Sequence, residues 1–269
     1  TAIDKIYDGL YVLEPNVDAV IESYVTVADL YIQLENADMA LKCLNAAENP
    51  IYSFNSGFSV KIAPELEMKG VGRPSERQID HAVQTVRRKY GDRRLEVMGR
   101  NLMAKAKRSA TNTGNMTPIA DETIEETKIP QLDSNIHAEY SVEMLDKINR
   151  LYVASYTIKH DTTHIKAYAS KLANSSNLHS QYIGKYNLIK ALKDEGYEKA
   201  DEEYRDFLKF LRNEMIKDPS DMMALNFRVQ CHVDLGEFGE AEKLCKLLSD
   251  DLAKPLKEQI DEARSGGNV

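Results

Sequence analysis

Apolar side chains recur at intervals of three and four along most of this sequence, the spacing that gathers them on one face of an α-helix. Val17, Val20, Ile21, Tyr24, Val27, Ala28 and Tyr31 form one such stripe. Asn16, directly after Pro15, is a suitable N-cap for it, and Asp18 adds negative charge to the first turn. Beyond a four-residue turn, Ala40, Cys43, Leu44 and Ala47 form a second stripe with Asp38 as candidate cap. The short connection predicts that these two helices pack as an antiparallel hairpin. Farther on, Met144, Leu145, Ile148, Leu151, Tyr152 and Ser155 line a helix capped by Ser141. Ile165, Tyr168, Ala169 and Leu172 line another, and Leu178, Tyr182, Tyr186 and Ile189 a third. The last third repeats the design. Tyr197, Ala200, Tyr204, Phe207, Leu208, Leu211 and Met215 make one stripe. Leu225, Val229, His232 and Val233 make the next, followed by a break at Gly236 and then Phe238, Ala241, Cys245 and Leu248. No stretch alternates apolar and polar residues cleanly over six positions, so the predicted fold class is all-α, without strands.

The helices come in pairs at a regular interval. Pro15 and Pro50 stand 35 positions apart, and Pro219 and Pro255 stand 36 apart. Proline stops a helix and restrains the residue before it, so each is expected near the end of a hairpin. Leu13-Glu14-Pro15-Asn16 and Lys217-Asp218-Pro219-Ser220 read alike, each ending one helix and capping the next. Two stretches, at about 21–52 and 222–255, resemble the tetratricopeptide repeat, a 34-residue helix-turn-helix unit. In the first, Tyr24 stands at the large position, Val27-Ala28 at the Leu-Gly pair, Tyr31 at the aromatic, Ala40 and Ala47 at the two Ala positions, Leu44 between them, and Pro50 near the end. In the second, Leu225, Val229, His232, Gly236, Phe238, Ala241, Cys245 and Leu248 follow the same order, and Tyr197 to Ala200 echoes the aromatic-x-x-Ala step. Glu35 replaces the usual Gly and Arg228 the usual Leu.

The resemblance implies helix-turn-helix repeats stacked as an α-solenoid. Small residues let paired helices approach, and aromatic and Leu residues fill the space to the next pair. It also implies a non-enzymatic scaffold that binds another protein or peptide on a concave face built from the first helix of each hairpin. The candidate face residues are Tyr24, Asp29, Tyr182, Tyr186 and Phe227, with core packing as the alternative role for each tyrosine. Family members that hold a chaperone's C-terminal carboxylate do so with Lys, Asn and Arg. The matching positions here are Val25, Asp29, Met223 and Phe227, so no binding of such a tail is expected. The opening stripe of Ile3, Ile6, Tyr7 and Leu10 reads as the second helix of a hairpin whose first is missing. Two alternatives fit it: a piece of a longer array, or a solitary N-terminal capping helix.

Charge changes this picture in one place. The 269-residue chain carries -8 overall. Residues 73–108, however, hold eleven basic and four acidic side chains, +7, against -15 for the remainder. Arg87, Arg88, Lys89, Arg93, Arg94, Arg100, Lys105, Lys107 and Arg108 form the basic surface. Ser75 and Gln78 suit a capping box, and Ile79, Val83, Val86 and Tyr90, then Leu95, Met98, Leu102 and Ala106, predict two amphipathic helices. This basic helical insert (71–108) has three open roles: a solvated repeat face, a nucleic-acid contact within a transcription or ribonucleoprotein assembly, or a contact with an acidic protein. Aromatic interleaving suited to base stacking is missing from it. Residues 109–135, polar and then acidic, predict a long loop between helical hairpins at 1–70 and 136–269.

Candidate chemistry is sparse. Cys43, Cys231 and Cys245 are too few and odd in number for a disulfide framework, which favours an intracellular setting in cytoplasm or nucleus. No apolar run suits a membrane span, and the sequons at Asn115 and Asn174 are chance matches. His160 and His164 flank Asp161-Thr162-Thr163, which reads as a helix start and not as a metal-binding turn. Cys231 and Cys245 fall at core positions of one hairpin. Gly70-Val71-Gly72 lacks the strand and third glycine of a dinucleotide loop, and Glu202 and Glu203 lie on a solvent face. No catalytic residue, metal site or cofactor is expected.

Overall fold

The computed structural model describes residues 2–12, 16–55 and 132–266. Every regular element among them is an α-helix, in agreement with the all-α expectation. The basic insert at 71–108, with Arg87 to Arg108, and the linker up to residue 131 lie outside the described residues, as does Pro15. The chain divides into two compact units, Thr1–Leu34 with Met39–Glu139 and Glu35–Asp38 with Tyr140–Val269.

In the first unit, α1 spans Ala2–Val12, α2 Val17–Gln33, α3 Ala37–Glu48 and α4 Pro50–Asn55. The Asn16 side chain caps α2, accepting from the Ala19 backbone N–H at 2.6 Å. All seven positions of the predicted α2 stripe are buried, together with Val25. Both α1 and α4 pack on α2. Pro50 opens α4 at the first helical position, where its missing N–H is not needed. Asp38 is not a cap: α3 begins one residue earlier, and Asp38 lies within its first turn, where its charge complements the helix dipole.

The second unit contains α5 (Val142–Ile158), α6 (Thr162–Ala173), α7 (Leu178–Asp194), α8 (Ala200–Lys217), α9 (Met222–Asp234), α10 (Phe238–Cys245) and α11 (Asp250–Gly266). Each packs against the next, and α5, α7, α9 and α11 also pack in order against one another. The short connections make successive helices antiparallel, so these four run in one direction. Ser141, Asp161, Asn177 and Asp221 cap α5, α6, α7 and α9, each accepting a backbone N–H three residues on.

One turn recurs. After α5, α7 and α9 the chain passes through a left-handed residue, His160 (φ 54°), Gly196 (φ 80°) and Gly236 (φ 73°). In each case two backbone N–H groups fold back onto the last carbonyls: His160 to Thr157 and Asp161 to Tyr156, Gly196 to Lys193 and Tyr197 to Leu192, Gly236 to Val233 and Glu237 to His232. Glu35 (φ 55°) holds the same conformation after α2. At Glu35 and His160 a Cβ is carried into a region that costs an L-residue roughly 1–2 kcal/mol, so the turn geometry overrides local preference there.

Four expectations are corrected. Leu145 and Leu178 are 44% and 37% exposed, because they lie in the first turns of α5 and α7, beyond the reach of a covering helix. Asp146 is buried beside Leu145 instead, accepting from the Ser175 hydroxyl at 2.6 Å. Tyr197 is also exposed, since the turn after Gly196 carries it outside α8. Pro255 does not end a hairpin but sits inside α11, which continues to Gly266. The burial of Ala253, Leu256 and Ile260 on α9 and α10 offsets the missing hydrogen bond. Finally, Asp221 caps α9, not Ser220, which donates to Asp218.

Candidate functional site

The face proposed from sequence is largely interior. Tyr24 and Val25 are buried in the first unit, and Tyr182, Tyr186 and Phe227 are buried in the second. Only Asp29 is half-exposed, accepting from the Gln33 amide at 3.3 Å. The four aromatic rings are therefore not a partner-binding surface. They fill the space between helices, since a helix flanked on both sides turns its aromatic stripe inward whichever face is counted first.

The rings of the second unit build a clamp around α9. Tyr182, Tyr186, Tyr204, Phe207 and Phe227 share one cluster across α7, α8 and α9. Tyr186 and Phe227 lie 5.3 Å apart between centroids, and Tyr182 meets Phe227 edge-on at 6.4 Å. Their hydroxyls reach the two ends of α9. Tyr182 donates to Asp221 at the N-terminus at 3.0 Å, and Tyr204 donates to Asp234 at the last residue at 2.9 Å. His179 Nε2 stands 3.6 Å from Asp221 as well. Lys193 donates to the Asp234 carbonyl and to the Asp201 carboxylate. On the far side the buried His232 shares a hydrogen bond with Glu237 at 2.7 Å, and Arg205 reaches Glu237 at 3.3 Å.

The electrostatics fit a holding role. Burial pushes the Tyr182, Tyr186 and Tyr204 phenols up from their ordinary value, and the facing aspartates push further. At neutral pH these hydroxyls are protonated donors. Burial likewise raises the Cys231 thiol, with Asp234 adding to it, and raises that of Cys245. All three cysteines are buried. They are expected to react with a thiol-specific aromatic disulfide on the order of 100-fold more slowly in the native protein than in denaturant. Stopped-flow absorbance checks this, and a native rate equal to the denatured one would contradict the burial.

The histidine pair serves locally. His160 ends α5, while the His164 backbone N–H meets Asp161 Oδ1 and its ring Nδ1 faces Asp161 Oδ2 at 2.7 Å. The His164 ring stacks on Tyr156 at 4.4 Å. Among the described residues no group of three or more His, Cys, Asp or Glu side chains is arranged to hold a metal ion, and no helix is long and apolar enough to cross a membrane.

Sequence reasoning missed a different surface. Leu145, Leu178, Met222 and Leu252 in the first turns of α5, α7, α9 and α11, with Ile216 at the end of α8 and Leu247 just after α10, are exposed. The parallel course of the odd-numbered helices brings all six to one end of the second unit. Their position at helix ends, where a stripe runs past its neighbours, was the available signal. No protein-family model matches this chain, and no curated protein or solved structure is significantly similar to it.

Proposed function

We propose that the protein is a non-enzymatic interaction scaffold, built from tetratricopeptide-like hairpins stacked as a solenoid and working inside the cell. The observation that carries this reading is the apolar end of the second unit. Six large apolar side chains stay exposed at the same end of these helices, although the same unit buries large aromatic residues such as Tyr152, Tyr182 and Tyr204. Grouped exposure of this kind marks an interaction surface more than it marks a monomer's ordinary exterior. The repeated left-handed turn after α2, α5, α7 and α9 and the contacts that link α5, α7, α9 and α11 in order support the repeat reading. Cys231 and Cys245, free and buried, suit a reducing compartment.

The test uses the full chain in a quantitative capture experiment, followed by identification of what is retained. Leu178→Ser with Met222→Ser is expected to leave the melting temperature within a few degrees, since both side chains are already exposed. It is expected to lower the captured partner at least ~10-fold. Undiminished capture would remove this end as the interface. A second reading, contact with nucleic acid through residues 73–108, rests on their +7 charge. Charge reversal at Arg87, Arg88, Arg93 and Arg94 separates the two, because salt-sensitive binding of short RNA or DNA would then fall while protein capture would not.

A further inference from the structure

Leu145, Leu178, Met222 and Leu252 form a row across the second unit. Each lies in the first turn of an odd-numbered helix, and each is between 37% and 44% exposed. Contacts beneath the row hold its members in order. Asp146 on α5 accepts from Ser175, three positions before Leu178, at 2.6 Å. His179 on α7 meets Asp221, directly before Met222, at 3.6 Å. Leu225 on α9 shares a buried cluster with Ala253, directly after Leu252. The row thus crosses four helices that pack in sequence.

The charges around the row have a prevailing sign. Within four positions of its members the chain carries six carboxylates, Glu143, Asp146, Asp218, Asp221, Asp250 and Asp251, against two lysines, Lys147 and Lys254. Asp146 and Asp221 are buried, and the other four carboxylates are exposed. The cations in the last turns of α6 and α8 are engaged, Lys171 over the Tyr168 ring and Lys217 with Glu214. The positive dipole ends of the odd-numbered helices meet the negative ends of α6, α8 and α10 here and largely cancel, so side chains set the sign. An apolar row with an acidic border repels an acidic segment and attracts a basic one. A second copy meeting this end with its own would set these carboxylates against one another.

Spacing selects the partner's secondary structure. Packed helices stand about 8–10 Å apart, which sets the step of the row. An apolar side chain at every seventh residue of an α-helix recurs at about 10.5 Å. Alternate residues of a strand recur at about 6.8 Å and miss the step. We propose that this row binds an amphipathic helix of a partner protein, which presents apolar residues at heptad spacing and lysine or arginine on its flanks. The proposal rests on the reading of the apolar end as an interface and adds the chemistry of what it holds.

The test titrates the full chain into a dye-labelled, amidated peptide with one leucine stripe at heptad spacing and lysines on both flanks, followed by fluorescence anisotropy. A scrambled peptide of the same composition and a peptide with glutamate for lysine are each expected to bind at least ~10-fold more weakly. Leu178→Ser with Met222→Ser is expected to weaken the lysine peptide at least ~10-fold. Asp218→Asn with Asp250→Asn and Asp251→Asn keeps the row intact and is expected to weaken it roughly 5-fold at low salt and little at high salt, where exposed charges are screened. All five positions are exposed, so melting temperatures are expected to stay within a few degrees. Equal binding of the scrambled or the glutamate peptide, or wild-type affinity in the aspartate variant at low salt, would overturn the proposal and leave the apolar end as an interface. A dimer in sedimentation that Leu178→Ser with Met222→Ser dissociates would overturn it in favour of a second copy. Undiminished partner capture by that variant would instead remove the interface reading, and the proposal with it.

Discussion

Gly184→Ala is expected to lower the melting temperature of the second unit by about 10 °C or more, or to abolish its folding. In an exposed helix interior this substitution stabilises by up to about 1 kcal/mol, because alanine is the better helix former. Here the sign reverses. A Cβ at position 184 would lie 2.2 Å from the Ala173 nitrogen, 2.6 Å from the Ala169 oxygen and 2.7 Å from the Leu172 carbonyl carbon. All three are backbone atoms, so no side chain can rotate aside. Relief requires α6 and α7 to separate, which opens the cluster of Val153, Ile165, Ala169, Leu172 and Ala191. Overpacking typically costs about 1–3 kcal/mol even where side chains can yield. A loss near 3 kcal/mol corresponds to roughly 10 °C for a domain of this size. Thermal and urea melts followed by circular dichroism measure it. An unchanged or raised melting temperature would mean that α6 and α7 are not in backbone contact.

Asp221→Ala is expected to cost about 2–4 kcal/mol. Two losses coincide. The α9 cap disappears, since Asp221 Oδ1 accepts the Ala224 N–H at 2.9 Å, and a lost cap costs about 1 kcal/mol. The Tyr182 hydroxyl, which donates to Oδ2 and belongs to a side chain with no exposure, is also left without its acceptor. An unsatisfied buried hydroxyl costs about 1–3 kcal/mol. Tyr182→Phe alone is expected to cost about 1 kcal/mol, because the ring stays packed against Phe210 and Phe227. In the double variant no orphan hydroxyl remains, so the combined loss falls short of the sum by about 1 kcal/mol. A urea denaturation cycle at neutral pH resolves this. Additivity within error would show that the clamp at the head of α9 is not energetically coupled.

Local pattern was enough to place most of the helices. Asn16 and Ser141 were readable as caps because a short polar side chain before an apolar stripe has one favourable use there. The α2 stripe was complete apart from Val25. Gly236 was readable as a stop because glycine adopts a left-handed turn at low cost. His160 was not, since its left-handed conformation is imposed by the turn it closes. Pro255 misled for the same kind of reason: proline disfavours a helix locally, and burial of Leu256 and Ile260 overrides it.

The candidate face shows the limit most clearly. Periodicity identified Tyr24, Tyr182, Tyr186 and Phe227 as members of a stripe, but a stripe has no label for which neighbour covers it. Which helix covers each stripe is fixed by contacts far apart in sequence, such as Tyr182 with Asp221 and Tyr204 with Asp234. The same holds for Leu145 and Leu178, whose spacing is that of core residues and whose exposure comes from ending beyond their neighbours. Sequence alone determined that this protein is helical and where most of its helices lie, because those properties depend on residues within a turn or two. Tertiary structure alone decided which apolar residues face water, because burial depends on distances in space that the spacing along the chain does not encode.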